Sequence, residues 1–156
     1  MSRLKKGGAV VATLVALTGT GEGIRQTAYP DPATKGKPWT ICFGHTGDVK
    51  PGDHKSLEEC KALFVQDLEV YAQAVERTIT RDMPDGVFIA FTDFTYNVGP
   101  GTFAKSSVAR FYNAGDRQGA CNALLAYNRA RVAGVSVVFP GLTRRRERER
   151  AYCLHG

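Results

Sequence analysis

Two acids lie close together near the start of the chain, Glu22 and Asp31, within the stretch GEGIRQTAYPDPATKGKPWTICFGHTGD that runs from Gly21 to Asp48. Glu22 follows an apolar segment and Asp31 sits in a turn, so the two carboxyls belong to different small elements. That is what cleavage of a glycosidic bond asks for. One carboxyl delivers a proton to the leaving oxygen; the other stabilises charge or manages a water on the sugar's far face. Thr40 heads a short strand-like run and His45 lies in the punctuation Gly44-His45-Thr46. By spacing alone these residues have bland readings too: a solvated Glu at a helix end, an Asp-Pro turn starter, a strand threonine. His45 alone could pass for a base or a metal ligand.

The elements that must position them are legible in outline. Val10, Val11, Leu14 and Leu17 keep helical spacing and predict an amphipathic first helix ending near Glu22. Thr27 to Lys50 is rich in Gly, Pro and Thr and contains Trp39-Thr40-Ile41-Cys42-Phe43, which predicts small β-hairpins. Ser56-Leu57-Glu58-Glu59 is a capping box. It opens a helix from about Leu57 to Thr78, on which Leu57, Cys60, Phe64, Leu68, Tyr71 and Val75 share a face. Val87 to Val98 (VFIAFTDFTYNV) is apolar on nearly every face and predicts a central core helix, stopped at Asn97 to Gly101, with Gly99 supplying the positive φ. Short helices follow over Phe103 to Asn113 and Asp116 to Leu125. Tyr127 to Pro140 reads as a connection with an apolar run, Val135 to Phe139, and a last helix covers Leu142 to Leu154. The class is α+β and mostly helical: a small β-hairpin lobe, a long connecting helix and a larger helical lobe, all within a single domain over residues 1–156. No repeat or linker divides it.

The chain has 156 residues, 43% hydrophobic and 23% charged, ordinary for one globular domain. A formal charge of +6 points to an anionic partner: wall polymer, an acidic membrane surface or nucleic acid. Half of that charge lies in Arg144-Arg145-Arg146-Glu147-Arg148-Glu149-Arg150, five Arg against two Glu, which reads as a solvated helix face laced with ion pairs. Four cysteines (Cys42, Cys60, Cys121, Cys153) with no CxxC spacing argue against a zinc or thioredoxin-like site and suit one or two disulfides in an oxidising compartment, with four buried free thiols as the alternative. The cysteines alone allow about three pairings. Behind Arg3, Lys5 and Lys6 runs an uncharged segment, residues 7–21, outlining a secretory signal. It is shorter than the roughly 20 residues of a stable spanning helix and lacks a good cleavage site.

The run E-G-x-R-x-x-A-Y-x-D at Glu22 to Asp31, W-T-I-C-x-G-H-T-G at Trp39 to Gly47, Glu59 to Leu63, Tyr96 to Phe103 and Gly141 to Arg146 together resemble the phage-type lysozymes, muramidases that degrade bacterial cell walls. The likeness spans almost the whole chain and is greatest to the lambdoid signal-anchor-release endolysins, whose cysteines fall at corresponding places. It implies an endolysin that hydrolyses the β-1,4 bond between N-acetylmuramic acid and N-acetylglucosamine in peptidoglycan, with no cofactor and no metal. Glu22 would be the general acid, kept protonated by a partly apolar setting; Asp31 and Thr40 would stabilise charge and hold the water. Tyr29, Asn97 and Gly99 would touch the glycan, and His45 would be structural, paired with Asp67. The stretch Thr34 to Lys37 departs from the pattern by lengthening the loop, which leaves Thr34 a competitor for Thr40. By analogy Cys42 would join Cys60, and Cys121 would join Cys153. Residues 7–21 would first tether the chain to the inner membrane, then leave it to become the first helix. The expected setting is the host periplasm, as a monomer, with peptidoglycan and not nucleic acid as partner. An amidase-type endolysin would need zinc-ligand spacing such as HExxH, which is missing. A non-enzymatic basic wall-binding module would explain the Arg run but not the Glu22, Asp31 and Thr40 context.

Overall fold

A 3-10 turn over Arg3–Lys5 and a helix over Gly8–Glu22 (α1) open the structure, a computed structural model that describes residues 2–5, 7–32 and 34–156, without the side chains of residues 5, 20, 21 and 22. Its Cα trace groups into two compact units, residues 3–70 and residues 71–156, with Ser2 counted in the second. In the first unit, Leu14, Leu17 and Thr18 of α1 are buried while Val10 and Val11 are only half-buried. Gly19 lies so near the Phe43 ring that a Cβ there would come within 3.2 Å of it. Gly23 then ends the helix at φ 70, a left-handed conformation that costs glycine little. Strands β1 (Arg25–Tyr29) and β2 (Thr40–Cys42) pair antiparallel, with Arg25 opposite Cys42, Tyr29 opposite Thr40 and an irregularity between. The lengthened segment Thr34 to Lys37 falls in the loop joining them.

Helix α2 (Leu57–Thr78) has its predicted bounds, and its cap closes both ways. The Ser56 N–H donates to Glu59 Oε1 at 3.0 Å and the Glu59 N–H donates to Ser56 Oγ at 3.1 Å. Cys60, Phe64, Leu68 and Val75 are buried along one stripe, but Leu57, in the first turn, is 44% exposed. A disulfide joins Cys42 to Cys60, and Phe43 stacks on Phe64 with ring centres 4.9 Å apart. Residues of α2 up to Val70 belong to the first unit and the remainder to the second.

The second unit is built around α3 (Asp85–Val98), buried continuously from Gly86 to Thr95. Phe91 and Phe94 meet Phe103, Tyr112 and Tyr127 at centroid distances of 5.0–6.1 Å, mostly edge to face. At Gly86 a Cβ would stand 2.2 Å from the Gly156 Cα, so only glycine lets these backbones touch. The stretch predicted as one helix from Phe103 to Asn113 is two, α4 (Pro100–Ala104) and α5 (Ser107–Asn113). The break follows from Ser106, whose side chain accepts from the Ala109 N–H and caps a new start. Helix α6 (Arg117–Ala123), capped by Asp116, and a 3-10 turn at Leu124–Ala126 follow. The predicted connection from Tyr127 to Pro140 is a β-hairpin instead: β3 (Arg129–Val132) and β4 (Val135–Val138), turned at Ala133 and Gly134, both at positive φ. The last helix, α7 (Pro140–His155), is joined to α6 by the Cys121–Cys153 disulfide.

The arginine run on α7 is the main correction. It is not simply a solvated face, because Arg145, Arg146 and Glu149 are buried. Asp93, fully buried on α3, needs a cation, and Arg145 supplies it as a fork, Nε to Oδ2 at 3.1 Å and Nη2 to Oδ1 at 3.0 Å. Arg146 pairs with Glu149 at 3.0 Å and lies 4.8 Å above the Phe94 ring.

Candidate active site

The hairpin of the first unit brings three of the expected residues to one end. Tyr29 and Thr40 are cross-strand partners, so their side chains share a face, and Asp31 begins the loop just past Tyr29. Asp31 organises that loop. Its N–H donates to the Gly36 carbonyl at 3.0 Å, its carbonyl accepts from Lys35 N–H, and Oδ1 accepts from Thr34 N–H at 3.3 Å. Thr34, the competing threonine, spends its hydroxyl on the Lys37 carbonyl at 2.7 Å, a loop-internal bond. The Thr40 hydroxyl sits 3.5 Å from the Pro38 carbonyl, a much looser hold. Tyr29 carries the Arg25 guanidinium 4.3 Å above its ring.

Glu22 is the last residue of α1, and the contact of Gly19 with Phe43 fixes that helix end against the residue following β2. The Glu22 side chain lies outside the described residues. A groove of 680 Å³ in the same unit runs past Lys37, Pro38, Trp39, Thr46, Asp48 and Val49, and its lining includes none of Tyr29, Asp31 and Thr40. An indole flanked by lysines and small polar groups offers a sugar ring both a flat face and hydrogen-bond partners.

His45 is bracketed. Asp67 lies 2.8 Å from its Nδ1 and the Gly47 carbonyl 2.9 Å from Nε2, so both ring nitrogens are engaged within the fold. The backbone of His45 also pairs with Ile41 of β2, so His45 ties the strand to Asp67 on α2. Among the described residues no group of three or more His, Cys, Asp and Glu is placed to hold a metal ion.

Asn97 and Gly99 lie in the second unit, at the end of α3. Gly99 stops the helix at φ 94 with its N–H on the Thr95 carbonyl, and the Asn97 side-chain oxygen accepts from Arg146 Nη2. Arg146 and its support were missed by the sequence reading. Glu149 below it is fully buried, and burial pushes its carboxyl well above the usual range. The neighbouring Asp93 pushes the same way, against the weaker pull of Arg146 and Arg145. The signal that could have found this network was Asp93 itself, a charge inside an apolar helix that must find a partner somewhere in the chain.

With that architecture in place, comparison with known proteins is unambiguous. The phage lysozyme family model matches residues 19–149, and the chain belongs to that family. Membership makes it a peptidoglycan-hydrolysing endolysin, a glycoside hydrolase of the lysozyme class. A SAR-endolysin of bacteriophage PS119 is 40% identical over 156 residues, covering 96% of this chain and 89% of that one. Among solved structures, the muramidase domain of SpmX from Asticaccaulis excentricus superposes with TM-score 0.83 at 29% identity, covering 96% and 97% of the two chains. The active form of the P1 phage endolysin Lyz gives 0.78 at 28% identity, covering 97% and 89%.

Proposed function

We propose that the chain is an N-acetylmuramidase of the signal-anchor-release type in which Glu22 protonates the leaving glycosidic oxygen. Asp31 and Thr40 hold the attacking water and stabilise positive charge developing on the sugar, while Tyr29, Asn97 and Gly99 contact the glycan. The observation that carries this reading is the β1–β2 register, which sets Thr40 across from Tyr29 at the end where the Asp31 loop departs. Supporting it, Thr34 is committed within the loop, which leaves Thr40 as the better-placed hydroxyl. Since general acid catalysis supplies on the order of 10²–10⁴ in rate, Glu22→Gln should cut reducing-end release from purified peptidoglycan by about that factor. Far-UV dichroism should be unchanged; a variant that lyses at full rate ends the proposal.

The same reading sends the protein to the periplasm, tethered at first to the inner membrane through residues 7–21. The support is the SAR-endolysin name carried by the PS119 relative and the uncharged run from Gly7 to Gly21. In the folded chain no described helix is long and apolar enough to cross a membrane, and Leu14 and Leu17 are buried, so the tether and α1 would be successive states of one segment. Fractionation of expressing cells before lysis checks this, because a chain never recovered with inner membrane has no tether.

A further inference from the structure

Exposed apolar side chains collect on one small element that the catalytic reading leaves unused. On the β3–β4 hairpin Val132 is 50% exposed, Val135 60% and Val138 48%, and Phe139 just beyond is 38% exposed. Val132 faces Val135 across the turn, so the tip of the ribbon is a pair of valines. The opposite face sets Arg129 beside Val138 and Arg131 beside Ser136. Both guanidiniums bend back onto ribbon carbonyls, Arg129 to Ser136 at 3.4 Å and Arg131 to Gly134 at 3.0 Å. These bonds hold the charges at the tip without neutralising them. From Arg117 to Arg146 the chain contains no acidic residue.

The apolar tip is the Val132–Val135 pair alone, Val138 lying on the arginine face at the other end of β4, and such a pair held in water beside two arginines marks a contact surface. At the turn itself the exposed side chains are the aliphatic Val132 and Val135, which offer no flat ring to a sugar or a base; the aromatic Phe139 lies beyond β4, away from the turn. An anionic bilayer suits every part of the ribbon: valines enter the boundary between headgroups and acyl chains, and arginines meet the lipid phosphates. We propose that the β3–β4 hairpin is an interfacial contact that docks the folded protein on an anionic phospholipid surface, separately from residues 7–21 and from the catalytic residues.

The test is co-sedimentation of the full-length protein with vesicles of equimolar phosphatidylglycerol and phosphatidylcholine, against phosphatidylcholine alone, at low and high salt. The wild type should bind the anionic vesicles and lose binding as salt rises. Arg129→Gln with Arg131→Gln should lower partitioning by about 25-fold, from about fivefold per arginine. Val132→Ser with Val135→Ser should lower it by about tenfold. Both double variants leave α1 intact, so binding by residues 7–21 appears as a common baseline, and both should keep wild-type dichroism and reducing-end release. As a second readout, the indole introduced by Val135→Trp should be quenched by brominated phosphatidylglycerol. Absence of wild-type binding, or variants that partition like wild type with no quenching, overturns the proposal. So does a loss seen on purified peptidoglycan instead of vesicles, which would give the ribbon to the wall polymer.

Discussion

At the scale of single residues the most consequential group is Glu149. It is fully buried on α7 beside Asp93, with Arg146 against it, and burial lifts its carboxyl well above the ordinary glutamate range. The folded chain thus holds this proton more tightly than the unfolded chain does. The stability it contributes is complete below the unfolded value, near 4.3, and is given back as pH climbs through the raised one. Glu149→Gln mimics the protonated form, keeping an acceptor for Arg146 and gaining a donor toward Asp93. Its melting temperature should vary less with pH across that window and should equal or exceed wild type at neutrality; an unchanged pH profile would refute this. Glu59 behaves in the opposite sense. The Ser56 N–H lowers its carboxyl, so its contribution is present above the unfolded value and fades as pH falls through the folded one.

At the scale of elements, the β3–β4 turn carries a local cost. Ala133 stands at φ 50, where a Cβ is disfavoured by about 1–2 kcal/mol, and only Gly134 adopts its conformation freely. Asn-Gly is the favoured pair for such a two-residue turn, so Ala133→Asn should stabilise the protein by about 0.5–1 kcal/mol in urea unfolding. The same fact explains why the hairpin was illegible in the sequence: the Ala-Gly turn lacks the usual signal, and Val135 to Phe139 reads as an apolar run without alternation. By contrast α2 could be read to the residue, because the Ser56/Glu59 box marks its start and a regular stripe marks its face. The break before α5 was hidden because a single buried serine makes it, and serines are common. Of the candidate site, the β1–β2 hairpin and its threonine were legible through the motif around them. The support beneath Asn97 was not, since it is assembled from residues far apart in the chain: Asp93, Arg146 and Glu149.

At the scale of the whole molecule, the arginines of the second unit include two groups with different work to do. Arg145 and Arg146 are consumed inside the second unit by Asp93, Glu149 and Asn97, while Arg129 and Arg131 are presented outward on an apolar ribbon. Charge counting along a sequence sums the two, which is why the arginine run read as surface. The hairpin also lies within the loop closed by Cys121–Cys153, a sequence separation of 32. The exposed strand β3 carries Arg129 and Arg131, after which a trypsin-like protease cuts once the ribbon opens locally. A molecule nicked there stays covalently whole, its halves tethered through sulfur, and separates into two bands on a gel only once dithiothreitol is added. The fate of this ribbon in a protease-rich compartment is thus invisible to size analysis unless the bond is first broken.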